Sequence, residues 1–299
     1  MTGPGPGPAA RPGPTTVRFA GRRAIVTGAS RGIGAGVAVR LAAEGADVAI
    51  VARTLDHHPS LPGSLRATAA RMAPFGGRVV TVVADLSDDD DRGRVVPEAV
   101  AGLGGPADIL VNNAAAAIYQ PLADFPLRRR LLTFVLNVEA PLDLMQAVLP
   151  SMRAAGRGWI VNLSSATARP RPGPPFVKGA PPTMAVYGAS KAALNRLTNA
   201  LADEVWGEGI RVNTVEPRAA VMTEGATALI GDMAEDRVES LETMVEAAVA
   251  LCDCPAERTG QVVVSLDLLA MLDRPVLSLD ARQTMATSPA GSEPEPSSA

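Results

Sequence analysis

The sequence predicts an α/β fold, a single-domain, doubly wound parallel sheet of seven strands with helices on both faces. Three observations predict it. Short runs rich in Val and Ile recur at residues 24–27, 47–51, 78–83, 109–112, 159–163, 210–215 and 261–266, separated by stretches of helical spacing. The runs are continuously apolar rather than alternating, the pattern of strands covered on both faces. A glycine cluster follows directly on the first run, where such a sheet makes its first strand-to-helix turn.

The 299 residues, 47% of them apolar, suffice for one large core. Residues 1–15 and 284–299 are rich in Gly, Pro, Ser and Glu and offer little apolar surface to offset chain entropy. They are expected to be disordered tails around one domain spanning 16–283. A Pro-rich interruption at 169–182 reads as a loop. The formal charge of −3 gives no general attraction to nucleic acid or anionic membrane. No run approaches the roughly 20 apolar residues that span a bilayer, and the first residues lack the apolar stretch of a secretory signal. A cytoplasmic protein with no nucleic-acid or membrane partner is therefore expected. Cys252 and Cys254 are the only cysteines, too close for an easy disulfide and without companions for a metal site.

The first strand enters Thr27-Gly28-Ala29-Ser30-Arg31-Gly32-Ile33-Gly34, and a helical run follows from Val37 to Glu44. Gly28 suits the tight turn, Gly32 lets backbone approach a pyrophosphate, and Gly34 permits close packing while the helix N-terminus faces the anion. Ser30, Arg31 and Ile33 belong to the same turn and are expected to line the ligand. An NAD site usually offers an acid after the second strand to hold the ribose 2′-hydroxyl. Here the chain reads Val51-Ala52-Arg53-Thr54, so no carboxylate repels a 2′-phosphate, and Arg53, with Arg31 from the glycine turn, can pair with it. NADP(H) is expected over NAD(H).

The third strand leads into Asp85-Leu86, where Asp85 either accepts from an adenine amino group or caps the next helix. The fourth leads into Asn112-Asn113-Ala114-Ala115, suited to cofactor approach or simply to a tight turn. Asn137 sits inside the apolar helical stretch 131–148, a costly place for an amide unless bonded, and it could hold a water that links Lys191 to solvent. The fifth strand ends in Ser164-Ser165, either of which could hydrogen-bond a reacting oxygen or simply make a turn or cap.

Tyr187-Gly188-Ala189-Ser190-Lys191 then opens a helix, placing Tyr187 and Lys191 on one face. The chain holds 28 Lys and Arg together but only two Lys, Lys178 and Lys191, and only two Tyr, Tyr119 and Tyr187, so chance rarely produces this spacing. A fixed ammonium favours phenolate and moves an ordinary phenol, near pKa 10, towards useful pH.

Thr27 to Gly34, Asn112 to Ala115, Asn137, Ser165, Tyr187 and Lys191 resemble the short-chain dehydrogenase/reductase family in identity and order, over roughly residues 21–268. The resemblance implies a Rossmann-like sheet, a homotetramer or homodimer, no metal, and interconversion of an alcohol with a ketone or aldehyde by hydride transfer. It implies that Ser165 holds the carbonyl and Tyr187 is the acid/base. Lys191 binds the nicotinamide ribose and lowers the phenol pKa, and Asn137 positions a relay water. Asp85, Leu86, Asn112 and Pro217 complete the expected cofactor lining.

The chain also departs from the family pattern. Twenty-one residues separate Ser165 from Tyr187, where about a dozen is common, so the Pro-rich loop is expected to edge the substrate pocket. Pro217-Arg218 replaces the usual Pro-Gly, Thr223 stands one position late, and the last strand lacks Asp-Gly-Gly. His58-Pro59 and Leu61-Pro62-Gly63 resemble hydroxysteroid dehydrogenase-like proteins, although His57 and His58 read as ordinary loop residues. Residues 222–242, with Met222, Leu229, Ile230 and Met233, read either as an apolar cover over the pocket or as core helices, which suits a hydrophobic substrate. By resemblance, the helix of Met145 and Leu149 and that of Tyr187 read as subunit contacts, or simply as core faces.

Overall fold

The computed structural model describes residues 17–171, 173–176, 182–231, 233–234 and 237–285. Seven strands make one parallel sheet: β1 (Arg23–Thr27), β2 (Asp47–Ala52), β3 (Val79–Val83), β4 (Ile109–Asn112), β5 (Gly158–Leu163), β6 (Ile210–Glu216) and β9 (Val262–Val264). Two further short strands, β7 (Ala220–Val221) and β8 (Val238–Glu239), pair with each other. The sheet order is β3-β2-β1-β4-β5-β6-β9, so connections run outward in opposite directions from β1 and β4. That divergence opens a crevice beyond the carboxyl ends of these strands. The seventh strand is shorter than the 261–266 expected, because Ser265 turns inward and starts a helix.

The helices are α1 (Gly32–Ala43), α2 (Leu65–Met72), α3 (Asp89–Leu103), α4 (Leu127–Phe134), α5 (Ala140–Ala155), α6 (Ala185–Glu204), α7 (Glu224–Ile230), α8 (Leu241–Leu251) and α9 (Ser265–Met271). Successive strand residues face opposite layers, which explains the continuous apolar runs. Val26 and Ile50 pack with Val37 and Leu41 of α1 and Met244 and Leu251 of α8. Ile25 and Val51 pack with Val95 of α3 and Leu144 and Val148 of α5 on the other face. Each such fully buried side chain contributes about 1.5–3 kcal/mol before entropy is counted.

The structure departs from the sequence reading at further points. The stretch 131–148 is not one regular α-helix: α4 and α5 are joined by a π-helical turn, Val135–Glu139, which carries Asn137. Residues 127–155 do form a 29-residue helical stretch apolar enough by length and composition to cross a membrane, contrary to the sequence reading. Its apolarity has a local cause, since α5 buries Leu144, Met145, Val148, Leu149 and Met152 against the sheet. Met145 and Leu149 are buried in the core of this chain. Thr284 bridges Leu277 and the Met285 N–H donates to the Val276 carbonyl, so pairing continues past residue 283. The remainder of both expected tails, with Lys178 and part of the Pro-rich loop, lies outside the described residues.

Candidate active site

A groove of about 680 Å³ lies over the carboxyl ends of the strands, bounded at one end by the glycine turn and at the other by Tyr187. The turn is built as its residues dictate. Gly28 has φ +65°, and a Cβ there would come 2.6 Å from Asn113 Nδ2 and 2.8 Å from Ala114 Cα. A Cβ on Gly34 would come 2.3 Å from Asn113 Nδ2 and 2.5 Å from the Gly28 carbonyl. Both glycines therefore let α1 start tight against the β4 exit. Gly32, at φ +54°, faces the Thr223 side chain. Gly28, Ser30, Arg31, Gly32 and Ile33 line the groove, while Gly34 works beneath it.

Arg31 and Arg53 line the same end of the groove, together with Asp85, Leu86 and His58. Arg31 Nε donates to the Pro62 carbonyl at 2.8 Å and Nη2 to the Gly63 carbonyl at 3.2 Å, which holds it over the turn. Partial burial and the neighbouring Arg53 lower its pKa against the pull of Glu224. Asp85 is not a helix cap, because Asp88 takes that role on α3. Partial burial opposes the Asp85 charge, but hydrogen bonds from Ser87 and the Arg53 charge outweigh it and hold the carboxyl below its ordinary range. Arg53 Nη1 lies 3.5 Å from Asp85 Oδ2, with Arg53 64% exposed. Such an exposed pair contributes about 0–1 kcal/mol and leaves Arg53 available to a better anion.

At the other end Ser164, Ser165, Tyr187 and Pro217 line the groove. The Ser165 hydroxyl lies close enough to the Tyr187 phenol to pull its pKa down. Ser165 Oγ accepts from Thr167 Oγ1 at 2.9 Å and from the Thr167 N–H at 3.3 Å, leaving its own proton for a partner in the groove. Ser164 Oγ is buried without a hydrogen-bond partner among the described residues. Lys191 lies behind Tyr187, 2% exposed, its Nζ donating to the Leu163 carbonyl at 2.7 Å and standing 5.9 Å from the phenol ring centre. Burial pushes the Lys191 amine down to about 8. The phenol moves the opposite way from the sequence expectation: burial and the nearby Tyr119 raise its pKa, against a smaller lowering by Ser165. Desolvation of the phenolate dominates here, so Tyr187 is held protonated.

Asn137 and Asn112 sit differently from expectation. The Asn137 amide oxygen accepts from the Ala116 N–H at 2.8 Å, and its nitrogen donates to the Ala116 carbonyl and to Ser190 Oγ. The side chain is thus spent on local structure. Its backbone carbonyl, however, lacks the usual helical donor, because the residue four ahead is Pro141 and the π turn displaces the ladder. Asn112, expected at the cofactor, is buried under the groove and donates to Asn162 Oδ1 at 2.9 Å. Asn113 lines the groove instead, clamping the Thr27 and Gly28 carbonyls. Tyr119, edge-on to Tyr187 at 5.7 Å between ring centres, also escaped the sequence reading, and only its rarity marked it.

The family model for short chain dehydrogenases matches residues 22–234 of this chain. The chain is a short-chain dehydrogenase/reductase. Members of this oxidoreductase family interconvert alcohols and ketones with NAD(P). Hydroxysteroid dehydrogenase-like protein 2 of Danio rerio is 32% identical over 261 residues, covering 85% of this chain and 59% of its own length. This dehydrogenase therefore spans about three fifths of such curated relatives. A short chain dehydrogenase from Mycobacterium thermoresistibile is 29% identical with a TM-score of 0.73, over 91% of this chain and 98% of its own. A 3-oxoacyl (acyl-carrier-protein) reductase from Agrobacterium tumefaciens C58 with NADP bound is 28% identical with a TM-score of 0.68, over 84% and 95%. The glycine turn, whose cradle a Cβ would fill, and the unpartnered Ser164 hydroxyl fit a nicotinamide dinucleotide laid along the groove of this short-chain dehydrogenase.

Proposed function

We propose that this protein is an NADP(H)-preferring oxidoreductase that interconverts a hydrophobic ketone or aldehyde and the corresponding alcohol, with Tyr187 as the acid/base. The observation that carries this reading is Ser165 and Tyr187 together on the groove wall with the Lys191 ammonium buried behind the phenol. When bound, the dinucleotide supplies or accepts the hydride. The protein's own share is proton handling and orientation. Tyr187, kept protonated by burial, donates its proton to a carbonyl oxygen as charge builds there, while the Ser165 hydroxyl donates a second hydrogen bond to that oxygen. Lys191 keeps two N–H donors beyond the one given to Leu163, enough to hold a ribose hydroxyl and to stabilise the phenolate that forms. The Asn137 carbonyl, without its helical donor, is an acceptor suited to holding a water through which solvent can return a proton to Lys191.

The cofactor preference rests on Arg31 and Arg53 at one end of the groove with Ala52 where an NAD site carries an acid. The Agrobacterium relative, which holds NADP, supports it. Leu229 and Ile230 on the rim favour an apolar substrate. A homo-oligomer is part of the same proposal, supported by exposed Leu127 and Leu131 on α4. NADPH oxidation over a panel of ketones and aldehydes tests the activity. Turnover lost in Tyr187→Phe with NADPH binding retained is the expected result, and undiminished turnover in that variant would reject the assignment.

A further inference from the structure

The glycine turn already carries a carboxylate where the proposed cofactor would bring a phosphate. Glu224 opens α7, and its Oε2 accepts a hydrogen bond of 3.1 Å from the Gly32 N–H, the first amide of α1. Its charge also reaches Arg31. The neighbouring Thr223 caps α7 and rests on the same glycine, whose built Cβ would come 3.1 Å from the Thr223 side chain. α7 is thus seated on the turn through a side-chain anion. The N-terminal amides of a helix carry partial positive charge and bind one anion well, but two anions on the same amides repel. α7 itself buries no residue, and its Leu229 and Ile230 face the groove partly exposed, so little besides this contact holds it down.

We infer that Glu224 is a built-in competitor for the dinucleotide phosphates: its carboxylate occupies the Gly32 amide and must leave before the cofactor settles, and its departure frees α7 to readjust over the substrate end. The inference rests on the proposed cofactor reading and adds an affinity-setting residue to it. A ligand that must displace an intramolecular anion binds more weakly by the strength of the contact it breaks. One charge-assisted hydrogen bond on a partly exposed helix end corresponds to roughly a tenfold change in affinity.

The test uses the full chain with Glu224→Ala, which removes the contact, and Glu224→Gln, which keeps an acceptor but not the charge. NADPH dissociation constants come from fluorescence titration, and hydrogen exchange at the Gly32 amide and across 224–231 is followed with and without NADPH. The expected result is roughly tenfold tighter binding in the alanine variant, with an intermediate gain in glutamine. Exchange across 224–231 should be faster in the alanine variant without cofactor, and in the parent once NADPH is added. Parent binding with no gain in either variant overturns this inference alone, as does protection of 224–231 by NADPH. Failure of all three proteins to bind dinucleotide overturns the cofactor reading and this inference with it.

Discussion

Lys191 Nζ stands 5.9 Å from the centre of the Tyr187 ring and hydrogen-bonds the Leu163 carbonyl, fully inside the protein. The helix period brings the two residues to one face of α6, but burial decides their chemistry: it disfavours phenolate and ammonium alike. A cation kept there for function costs stability.

That cost is measurable through pH. Burial lowers the Lys191 pKa from its ordinary 10.5 to about 8. The unfolded chain therefore holds this proton more tightly than the folded one. The penalty, about 3 kcal/mol, is fully present below pH 8 and fades as pH rises towards 10.5. Lys191→Met is expected to be more stable than the parent in urea at pH 7, with a gap that narrows from pH 8 to 10 and turnover lost throughout. A pH-independent gap would contradict the burial of a titrating amine.

Gly188 should be intolerant of even one methyl. A Cβ there would come 2.3 Å from the Thr167 carbonyl, in the short turn that follows Ser165. Gly188→Ala is expected to push that turn from α6 and separate Ser165 from Tyr187. Turnover should fall at least a hundredfold while NADPH affinity changes little, since a displacement of about 1 Å costs on that order. Steady-state kinetics beside a binding titration checks the split.

Arg53→Ala is expected to weaken NADPH about tenfold or more while leaving NADH nearly unchanged, because in the proposed cofactor reading only the 2′-phosphate meets the guanidinium. Equal losses for the two cofactors would place the phosphate elsewhere.

Arg40 is fully buried and bonds Glu44, Glu246 and the carbonyls of Leu277 and Ser278, while Glu246 also receives Arg274 and the Leu277 N–H. Glu246→Ala leaves buried cations short of a partner, an effect of about 3–5 kcal/mol in comparable sites. The denaturant midpoint should fall accordingly, and hydrogen exchange should show residues 274–285 released first.

The seven strands, the glycine turn and the Tyr187–Lys191 pairing were legible in the sequence because each is local: strand runs, positive-φ glycines and a four-residue helical step are properties of short segments. The choice between neighbours was not. Asn112 and Asn113 look alike in the chain, yet one bonds Asn162 beneath the sheet surface and the other lines the groove, since adjacent residues leave a strand in opposite directions. Nor could spacing reveal that Glu224 bonds Gly32 across 192 residues, that Arg40 lies in the core, or that Tyr119 meets Tyr187. Sequence alone determined which residue types stand at the ends of which strands. Tertiary packing decided which of them face the groove and how readily they ionise, because orientation and desolvation arise only when distant segments exclude water from one another.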